Sequence, residues 1–300
     1  MHPAISIRGL TKSYGQFTAV NNLHLDVFPG EILGFLGTNG AGKTTTIRVL
    51  LDLLRPTSGG ASIFGRDCQT EGLAVRAQTG YLPGEMGLYA DMTGREVLDF
   101  LASFNRQPVD SKYRSELLDR LDLSGADLRR KIRQYSTGMK RKLGLVQAFQ
   151  ADPQLLILDE PSEGLDPLMQ ESFYELLAAV KRRGRTVFVS SHVLSEVERV
   201  CDRIALLRKG ELVLLSTVEE TRHIGTRRVR VFFNGDVEPA QVLPPGSTAL
   251  QMGPRFWELQ IEGGLGPLLR MLAALPVDDI SVQESKLEEV LLQYYRKDAM

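Results

Sequence analysis

"GTNGAGKTTT", residues 37–46, separates an apolar run of strand length from a segment with the apolar spacing of a helix. It fits the pattern G-x-x-x-x-G-K-[ST], with Gly37, Gly42, Lys43 and Thr44 at the defined positions. Glycines let the backbone wrap closely around a phosphate chain, and the following helix N-terminus adds partial positive charge. A glycine-rich turn with a chance lysine is the alternative. The order strand, loop, helix favours a phosphate-binding loop in an α/β fold.

The pattern gives each residue of this loop an expected role. Lys43 is expected to reach the β- and γ-phosphates of a nucleotide, and Thr44 to offer its hydroxyl to Mg²⁺. Thr45 adds a phosphate contact one residue later. The predicted phosphate-contacting residues are Gly37, Thr38, Asn39, Gly40, Ala41, Gly42, Lys43, Thr44 and Thr45.

The composition is that of a globular protein without a polyelectrolyte partner. The 300 residues are 43% hydrophobic and 24% charged, with a net charge of −1. Two basic runs, 129–131 and 181–183, lack interleaved aromatic residues, which favours solvated helix faces over a nucleic-acid surface. We therefore predict no nucleic-acid partner. No signal peptide and no run of about 18 apolar residues is evident, so we expect a cytoplasmic protein that meets the membrane only through a partner.

Strands and helices alternate over the first two thirds of the chain. Alternating stretches at 4–9 and 23–27 predict antiparallel strands, and residues 95–149 read as mostly helical. Continuous apolar runs predict buried strands, which fits a mostly parallel sheet covered by helices. These runs are 32–36, 155–158, 186–190 and 203–207.

The pattern of apolar and polar residues changes near residue 220, which predicts a second domain. We expect a first domain at 1–222, with a helical subdomain at about 86–150 and an antiparallel β subdomain. A small α+β domain is expected at 223–300, with strands at 228–233, 256–261 and 280–282. Helices are predicted there at 266–275 and 286–295.

Two adjacent carboxylates end one of the buried strands, in "LLILDEPSEGLD", residues 155–166. Ligands bind at the carboxyl ends of parallel strands, so the pair is expected to face the phosphate loop. Asp159 is the predicted Mg²⁺ ligand, and Glu160 the general base that polarises the attacking water. An exposed Asp-Glu pair opening a turn at Pro161 is the alternative for such a pair alone.

A histidine follows the next strand. His192 can donate a hydrogen bond to a γ-phosphate and respond to its loss. On its own it would more often be a capping or core histidine, but its position beside the other two strand ends favours the catalytic role.

Together these elements resemble the nucleotide-binding subunit of an ATP-binding cassette (ABC) transporter. The segment "YSTGM", residues 135–139, stands where that family has its Leu-Ser-Gly-Gly-Gln signature. Ser136 and Gly138 are retained, while Thr137 and Met139 replace a glycine and the glutamine. The resemblance implies ATP and Mg²⁺ as cofactors, a P-loop NTPase fold, and a homodimer in which Ser136 and Gly138 touch the γ-phosphate held by the other subunit.

Three further positions are assigned only through the resemblance. Tyr14 matches the aromatic residue that stacks on adenine, and Asp166 matches the aspartate of a loop that crosses the dimer interface. The glutamine that usually follows a strand end such as "GYLP", residues 80–83, is replaced by Gly84, with Glu85 as a possible substitute contact. How this chain couples metal binding to its partner is therefore open.

The resemblance also implies a membrane partner. The region from residue 84 to about 104 resembles the part that receives a permease's cytoplasmic helix, with Met86, Leu88, Tyr89 and Met92 as an apolar surface; local packing is an equal alternative. "SVQESKLEEVLLQYY", residues 281–295, resembles the C-terminal extension of bacterial drug, polysaccharide and antibiotic exporters, or is simply an amphipathic helix.

We therefore predict an ATPase subunit that powers a separately encoded permease, in an exporter, bound at the inner face of the membrane. A translation factor would carry two cassettes, and a chromosome-maintenance ATPase would carry a long coiled coil between residues 43 and 136. A regulatory ATPase without a permease, whose C-terminal domain binds a ligand or protein, remains the alternative.

Overall fold

The computed structural model describes residues 2–105, 108–224, 226–238 and 243–283. The chain divides into two compact units, Met1–Leu215 and Ser216–Met300. The boundary predicted between residues 222 and 223 stays a prediction. The helix predicted at 286–295 lies outside the described residues.

The strands, in chain order, are β1 (Ile5–Tyr14), β2 (Phe17–Val27), β3 (Ile32–Leu36), β4 (Ser58–Ile63), β5 (Arg66–Asp67), β6 (Thr79–Leu82), β7 (Leu155–Asp159), β8 (Thr186–Ser191), β9 (Arg203–Arg208), β10 (Glu211–Thr217), β11 (Thr226–Phe233), β12 (Ser247–Gly253), β13 (Phe256–Glu262) and β14 (Val277–Gln283). The helices are α1 (Lys43–Leu50), α2 (Gly72–Arg76), α3 (Gly94–Ala102), α4 (Ser111–Arg120), α5 (Gly125–Leu128), α6 (Thr137–Phe149), α7 (Pro167–Arg182), α8 (Leu194–Val200), α9 (Val218–Ile224) and α10 (Gly266–Leu272), with a 3₁₀ turn at Ile132–Gln134.

A six-stranded sheet with the order β10-β9-β3-β8-β7-β6 forms the centre of the first unit. The pairs β3–β8, β3–β9 and β7–β8 are parallel, as the apolar runs predicted, and β6, which no predicted run covers, pairs in parallel with β7. Every residue of β3, β7 and β8 is buried, because both faces of a parallel sheet are covered. Their carboxyl ends share one edge, which brings together the segments that follow them.

An antiparallel sheet with the order β2-β1-β4-β5 lies in the same unit. β1 and β2 pair antiparallel from Ile5 opposite Val27, as the alternating pattern predicted. The buried side chains of β1 and β2 join one core cluster with those of β3 and α1. This shared core ties the phosphate loop to both sheets.

The helical region begins at α3, which a capping box starts: the Thr93 hydroxyl accepts from the Glu96 amide and the Glu96 carboxylate accepts from the Thr93 amide. Three more helices, α4, α5 and α6, follow in this region. Tyr135 is buried at the entry to α6, where its hydroxyl donates to the Asp127 carbonyl at 2.8 Å. The segment that precedes α6 is thereby anchored to α5.

The second unit has a four-stranded antiparallel sheet with the order β12-β13-β11-β14. Trp257, Val231 and Leu259 are fully buried in a core that also includes Leu268 and Leu272 of α10. β12 was not predicted, since most of its residues are exposed and two prolines precede it. In the part of the chain that the structure describes, no helix is long and apolar enough to cross a membrane.

Candidate ATP-binding and hydrolysis site

The loop between β3 and α1 has a backbone that only glycine can form at two points. Gly40 has φ +81° and Gly42 has φ +108°, in the region that side chains disfavour. A Cβ at Gly42 would lie 2.4 Å from the Ala19 carbonyl oxygen, so β2 leaves no room for one. Thr38, Asn39 and Gly40 are exposed, whereas Ala41 and Gly42 are buried. The loop is thus fixed at its base and open to solvent at its tip.

Lys43 is the first residue of α1 and is only 6% exposed. Its Nζ donates to the Gly37 carbonyl at 2.6 Å and to the Thr38 carbonyl at 3.4 Å. It also lies 3.1 Å from Glu160 Oε1, an ion-pair contact outside hydrogen-bond geometry. A buried ammonium needs such oxygen partners. Phosphate oxygens can compete for the same positions.

Asp159 ends β7 and is 1% exposed. The Thr44 hydroxyl donates to its Oδ2 at 2.9 Å, and the Ser190 hydroxyl donates to its Oδ1 at 2.5 Å. The Thr44 hydroxyl and the Asp159 carboxylate are hard oxygen ligands that lie side by side. Such a pair suits Mg²⁺, which binds through one or two carboxylates together with substrate phosphates and water. Within the described residues no group of three or more His, Cys, Asp or Glu could hold a metal ion alone.

Glu160 adopts a left-handed backbone, with φ +49°. Such a conformation is uncommon for a residue with a side chain and persists where the surroundings enforce it. Its amide donates to Ser190 Oγ at 3.0 Å, and its Oε2 lies 2.8 Å from Nδ1 of His192. The Glu160 side chain is 15% exposed and that of His192 is 48% exposed. The carboxylate is therefore held between Lys43 and His192 at the open edge of the sheet.

Ser190 was missing from the sequence-based site. It bonds to both residues of the pair, to the Asp159 side chain as donor and to the Glu160 backbone amide as acceptor. A hydroxyl near the end of an apolar strand, two residues before His192, is the signal that could have identified it. Glu196 was missed as well: it accepts from the hydroxyls of Ser162 and Ser191, at 2.7 and 3.2 Å. It joins the loop after Glu160 to the start of α8.

The predicted signature residues lie at the start of α6. Ser136 is exposed and caps this helix, since its Oγ accepts from the Met139 amide at 3.1 Å. Thr137 is the first helical residue, so no positive φ requires the glycine that it replaces. A Cβ at Gly138 would lie 3.0 Å from the Gly164 carbonyl oxygen. That close approach to the loop before Asp166 explains the retained glycine.

Two other positions singled out in the sequence are Tyr14 and Gly84. Tyr14 ends β1 with 49% of its surface exposed, and Nζ of Lys12 lies 5.1 Å from its ring centroid. Gly84 follows β6 with its backbone against the metal-site carboxylate, because a Cβ there would lie 3.4 Å from Asp159 Oδ2. Glu85, the suggested substitute, is exposed. The structure thus groups Lys43, Thr44, Asp159, Glu160 and His192, and sets Ser136 and Gly138 at the neighbouring helix.

Comparison with known proteins identifies the family. A profile of the ABC transporter family matches residues 20–163. The bacitracin transport ATP-binding protein of Bacillus licheniformis is 38% identical over 216 residues, 71% of this chain and 69% of that protein. The chain belongs to the ABC transporter family. It is an ABC-type ATPase with the P-loop α/β fold that the resemblance implied.

Other ABC proteins match over different lengths. The daunorubicin resistance ATP-binding protein of Streptomyces coeruleorubidus is 32% identical over 300 residues, 96% of this chain and 95% of that protein. An uncharacterized ABC transporter ATP-binding protein of Nostoc is 42% identical over 199 residues, 65% of this chain but only 59% of that protein. The match to the daunorubicin resistance protein therefore covers nearly all of both chains, whereas the match to the Nostoc protein covers only part of each.

Solved structures share the fold. The ATP-binding subunit of an ABC transporter, 30% identical, superposes with a TM-score of 0.67 over 73% of this chain and 92% of that one. A dimeric ATP-binding cassette in a post-hydrolysis state with ADP and Pi gives 0.65 over 71% of this chain and 98% of that one, at 22% identity. That second likeness shows the fold alone.

Proposed function

We propose that this cassette hydrolyses Mg²⁺-ATP between two copies of the chain and so powers a separately encoded membrane permease, in an exporter. The observation that carries the proposal is the connected set of Lys43, Glu160 and His192 at the strand ends. The same edge holds the bond from Thr44 to Asp159. A phosphate-binding cation, a hard oxygen pair and an oriented carboxylate are the parts that phosphoryl transfer to water needs.

Each residue has one task in this proposal. The loop amides and Lys43 bind the β- and γ-phosphates, and Tyr14 offers an exposed ring to the adenine. Thr44 and Asp159 hold Mg²⁺, which supplies charge neutralisation on the phosphate oxygens. Glu160 accepts a proton from the attacking water. His192, whose Nδ1 lies 2.8 Å from Glu160 Oε2, holds this carboxylate in position from one side.

The second copy is needed because the signature loop is exposed at a different element. Ser136 presents a hydroxyl and a helix N-terminus to solvent, which suits an anion. α6 has 13 residues, so its N-terminal partial charge is developed. In a symmetric pair each loop would meet the phosphate held by the other chain, giving two equal sites.

The permease is proposed to dock in an apolar cavity of about 270 Å³ near the end of β6. Its lining includes Leu51, Leu53, Pro83, Met86, Leu88 and Leu101. Met86 also packs on α6, because a Cβ at Gly144 would lie 2.3 Å from its Cε. Tyr89 is exposed instead and makes an edge contact with Phe100 at 5.8 Å between ring centroids. An apolar hollow of this kind suits a short amphipathic helix.

The names of two relatives support export. One is named for bacitracin transport and another for daunorubicin resistance. We propose that this chain likewise serves an exporter, whose substrate is selected by the permease and not by this chain. A permease partner would place the chain at the inner face of the membrane.

The docking proposal is tested by placing a charge in the cavity. Leu53 is 57% exposed and lines the cavity, whereas Leu73 is 80% exposed on α2 and does not. Leu53→Lys should release the chain from membranes that contain its permease, while Leu73→Lys should sediment like the parent. ATPase activity of the isolated chain should be equal in both variants. Equal sedimentation of the two variants would reject this cavity as the docking site.

A further inference from the structure

Arg141 lies in the second turn of α6 and is 5% exposed, so its charge must be compensated inside the protein. Its guanidinium binds three backbone carbonyls from two separate loops. Nη1 donates to Pro83 and Nη2 to Gly84, each at 2.9 Å, while Nε donates to Glu163 at 3.1 Å. The Glu163 carboxylate lies 3.8 Å from Nη2. Only arginine carries donors in a planar fork that can reach all three.

Both loops held by Arg141 contact the reacting groups. On one side, Gly84 packs its backbone against Asp159, in the place where the family has a glutamine side chain. On the other side, the Glu163 amide donates to the Glu160 carbonyl at 3.2 Å. Arg141 is therefore one step from the Asp159 carboxylate, through Gly84, and one step from the backbone of Glu160, through Glu163.

The charge of Arg141 also interacts with the carboxylates at the carboxyl ends of the strands. Burial lowers the pKa of its guanidinium, while the carboxylates of Glu163, Asp159 and Glu160 oppose that shift. This buried cation is enclosed by backbone carbonyls and lies near these carboxylates. Because α6 begins at Thr137, directly after Ser136, the bonds of Arg141 also tie the signature helix to the two loops.

We propose that Arg141 is a positioning residue for ATP turnover, which locks the Pro83–Gly84 segment, the Glu163 loop and the signature helix into one unit. In this chain the lock takes the place of the side-chain contact that a glutamine at position 84 would give. The proposal rests on the proposed roles of Asp159 and Glu160.

The test compares Arg141→Met and Arg141→Lys with Lys140→Met, a change of the same charge one position earlier on α6 at a half-buried site. Arg141→Met should lower kcat by between about tenfold and about 100-fold, with the KM for ATP within about threefold of the parent. The Mg²⁺ concentration for half-maximal activity should rise. Arg141→Lys, which keeps the charge but loses the fork, should recover only part of kcat. Lys140→Met should match the parent.

Two outcomes would overturn the proposal. One is a kcat for Arg141→Met or Arg141→Lys within twofold of Lys140→Met. The other is a loss of kcat matched by an equal loss of ATP affinity, which would mean a general disturbance. If Arg141→Met does not fold, by its urea unfolding curve, Arg141→Lys decides by the same criteria. Glu160→Gln in the same series distinguishes failure of the Arg141 proposal from failure of the proposed function. Full activity of Glu160→Gln would reject the assignment of Glu160 as the general base.

Discussion

The phosphate loop and the signature loop differ in how completely each is built within one chain. The phosphate loop is buried at its base, and its lysine and threonine already contact Glu160 and Asp159. The signature loop contains an exposed Ser136, whose hydroxyl accepts a bond from the Met139 amide of its own helix turn. The phosphate loop has its binding groups already assembled, whereas the signature loop has its oxygen and helix N-terminus facing solvent. This contrast supports the proposal that one chain binds ATP and that turnover needs two chains.

The strongest way to test the phosphate-loop side is Glu160→Gln. The amide keeps the shape of the carboxylate but cannot accept the proton from water, so kcat should fall by at least about 100-fold. ATP binding should remain, and the variant should elute as a dimer in size-exclusion chromatography with ATP. Glu175→Gln, at an exposed carboxylate of α7, is the matched control and should stay close to the parent. Hydrolysis by Glu160→Gln at the parent rate would remove Glu160 as the base.

Mixing two inactive variants tests the division of labour directly. Ser136→Arg should abolish turnover while leaving ATP affinity unchanged, because the new side chain blocks only the face offered to the partner. Lys43→Ala should also lack turnover. A mixed dimer of the two contains one site with an intact phosphate loop and an intact signature loop. An equal mixture should therefore regain a substantial part of the parent rate, and a mixture as inactive as its components would contradict a shared site.

The sequence predicts where the phosphate-loop residues lie, because there chain order and chemistry coincide. β7 ends in Asp159, β3 ends directly before Gly37 and β8 ends directly before His192, so a shared sheet edge follows from parallel pairing. Ser190 escaped because a serine hydroxyl carries no distinctive pattern. Arg141 escaped because its three acceptors are backbone carbonyls, which any sequence provides. Long-range polar contacts of this kind are decided by packing and not by local residue spacing.

A smaller effect is expected for nucleotide affinity alone. Lys43→Ala removes a buried ammonium from the phosphate site, and charge-assisted hydrogen bonds contribute about 1.5–3 kcal/mol each. The affinity for ATP should fall by about tenfold to about 100-fold, measured with a fluorescent ATP analogue. Lys140→Ala on α6 removes a charge from the signature side and should leave the affinity unchanged. Equal affinities for Lys43→Ala and the parent would count against the phosphate-loop assignment.

The smallest expected effect concerns the support of the signature loop in acid. Hydrogen bonds from the Ser124 hydroxyl and amide lower the pKa of the Asp127 carboxyl, and the Asp127 carbonyl holds Tyr135 beside the loop. A carboxyl with a lowered folded-state pKa stabilises the protein above its unfolded value and loses that contribution as pH falls through the folded value. Asp127→Asn should therefore destabilise the chain at neutral pH by less than about 1 kcal/mol, since the pair is partly exposed.

The pH dependence separates this cap from a general loss of charge. Between about pH 5 and about pH 3 the urea midpoint of the parent should approach that of Asp127→Asn, because protonation removes the same bonds. Asp122→Asn, at an exposed carboxylate in the same helical region, reports the effect of one fewer negative charge. A difference between parent and Asp127→Asn that persists unchanged into acid would mean that the capping bonds do not stabilise this region. The phosphate-loop side, whose Lys43 and Asp159 are buried and bonded to groups outside the helical region, should bind ATP equally well in both variants at neutral pH.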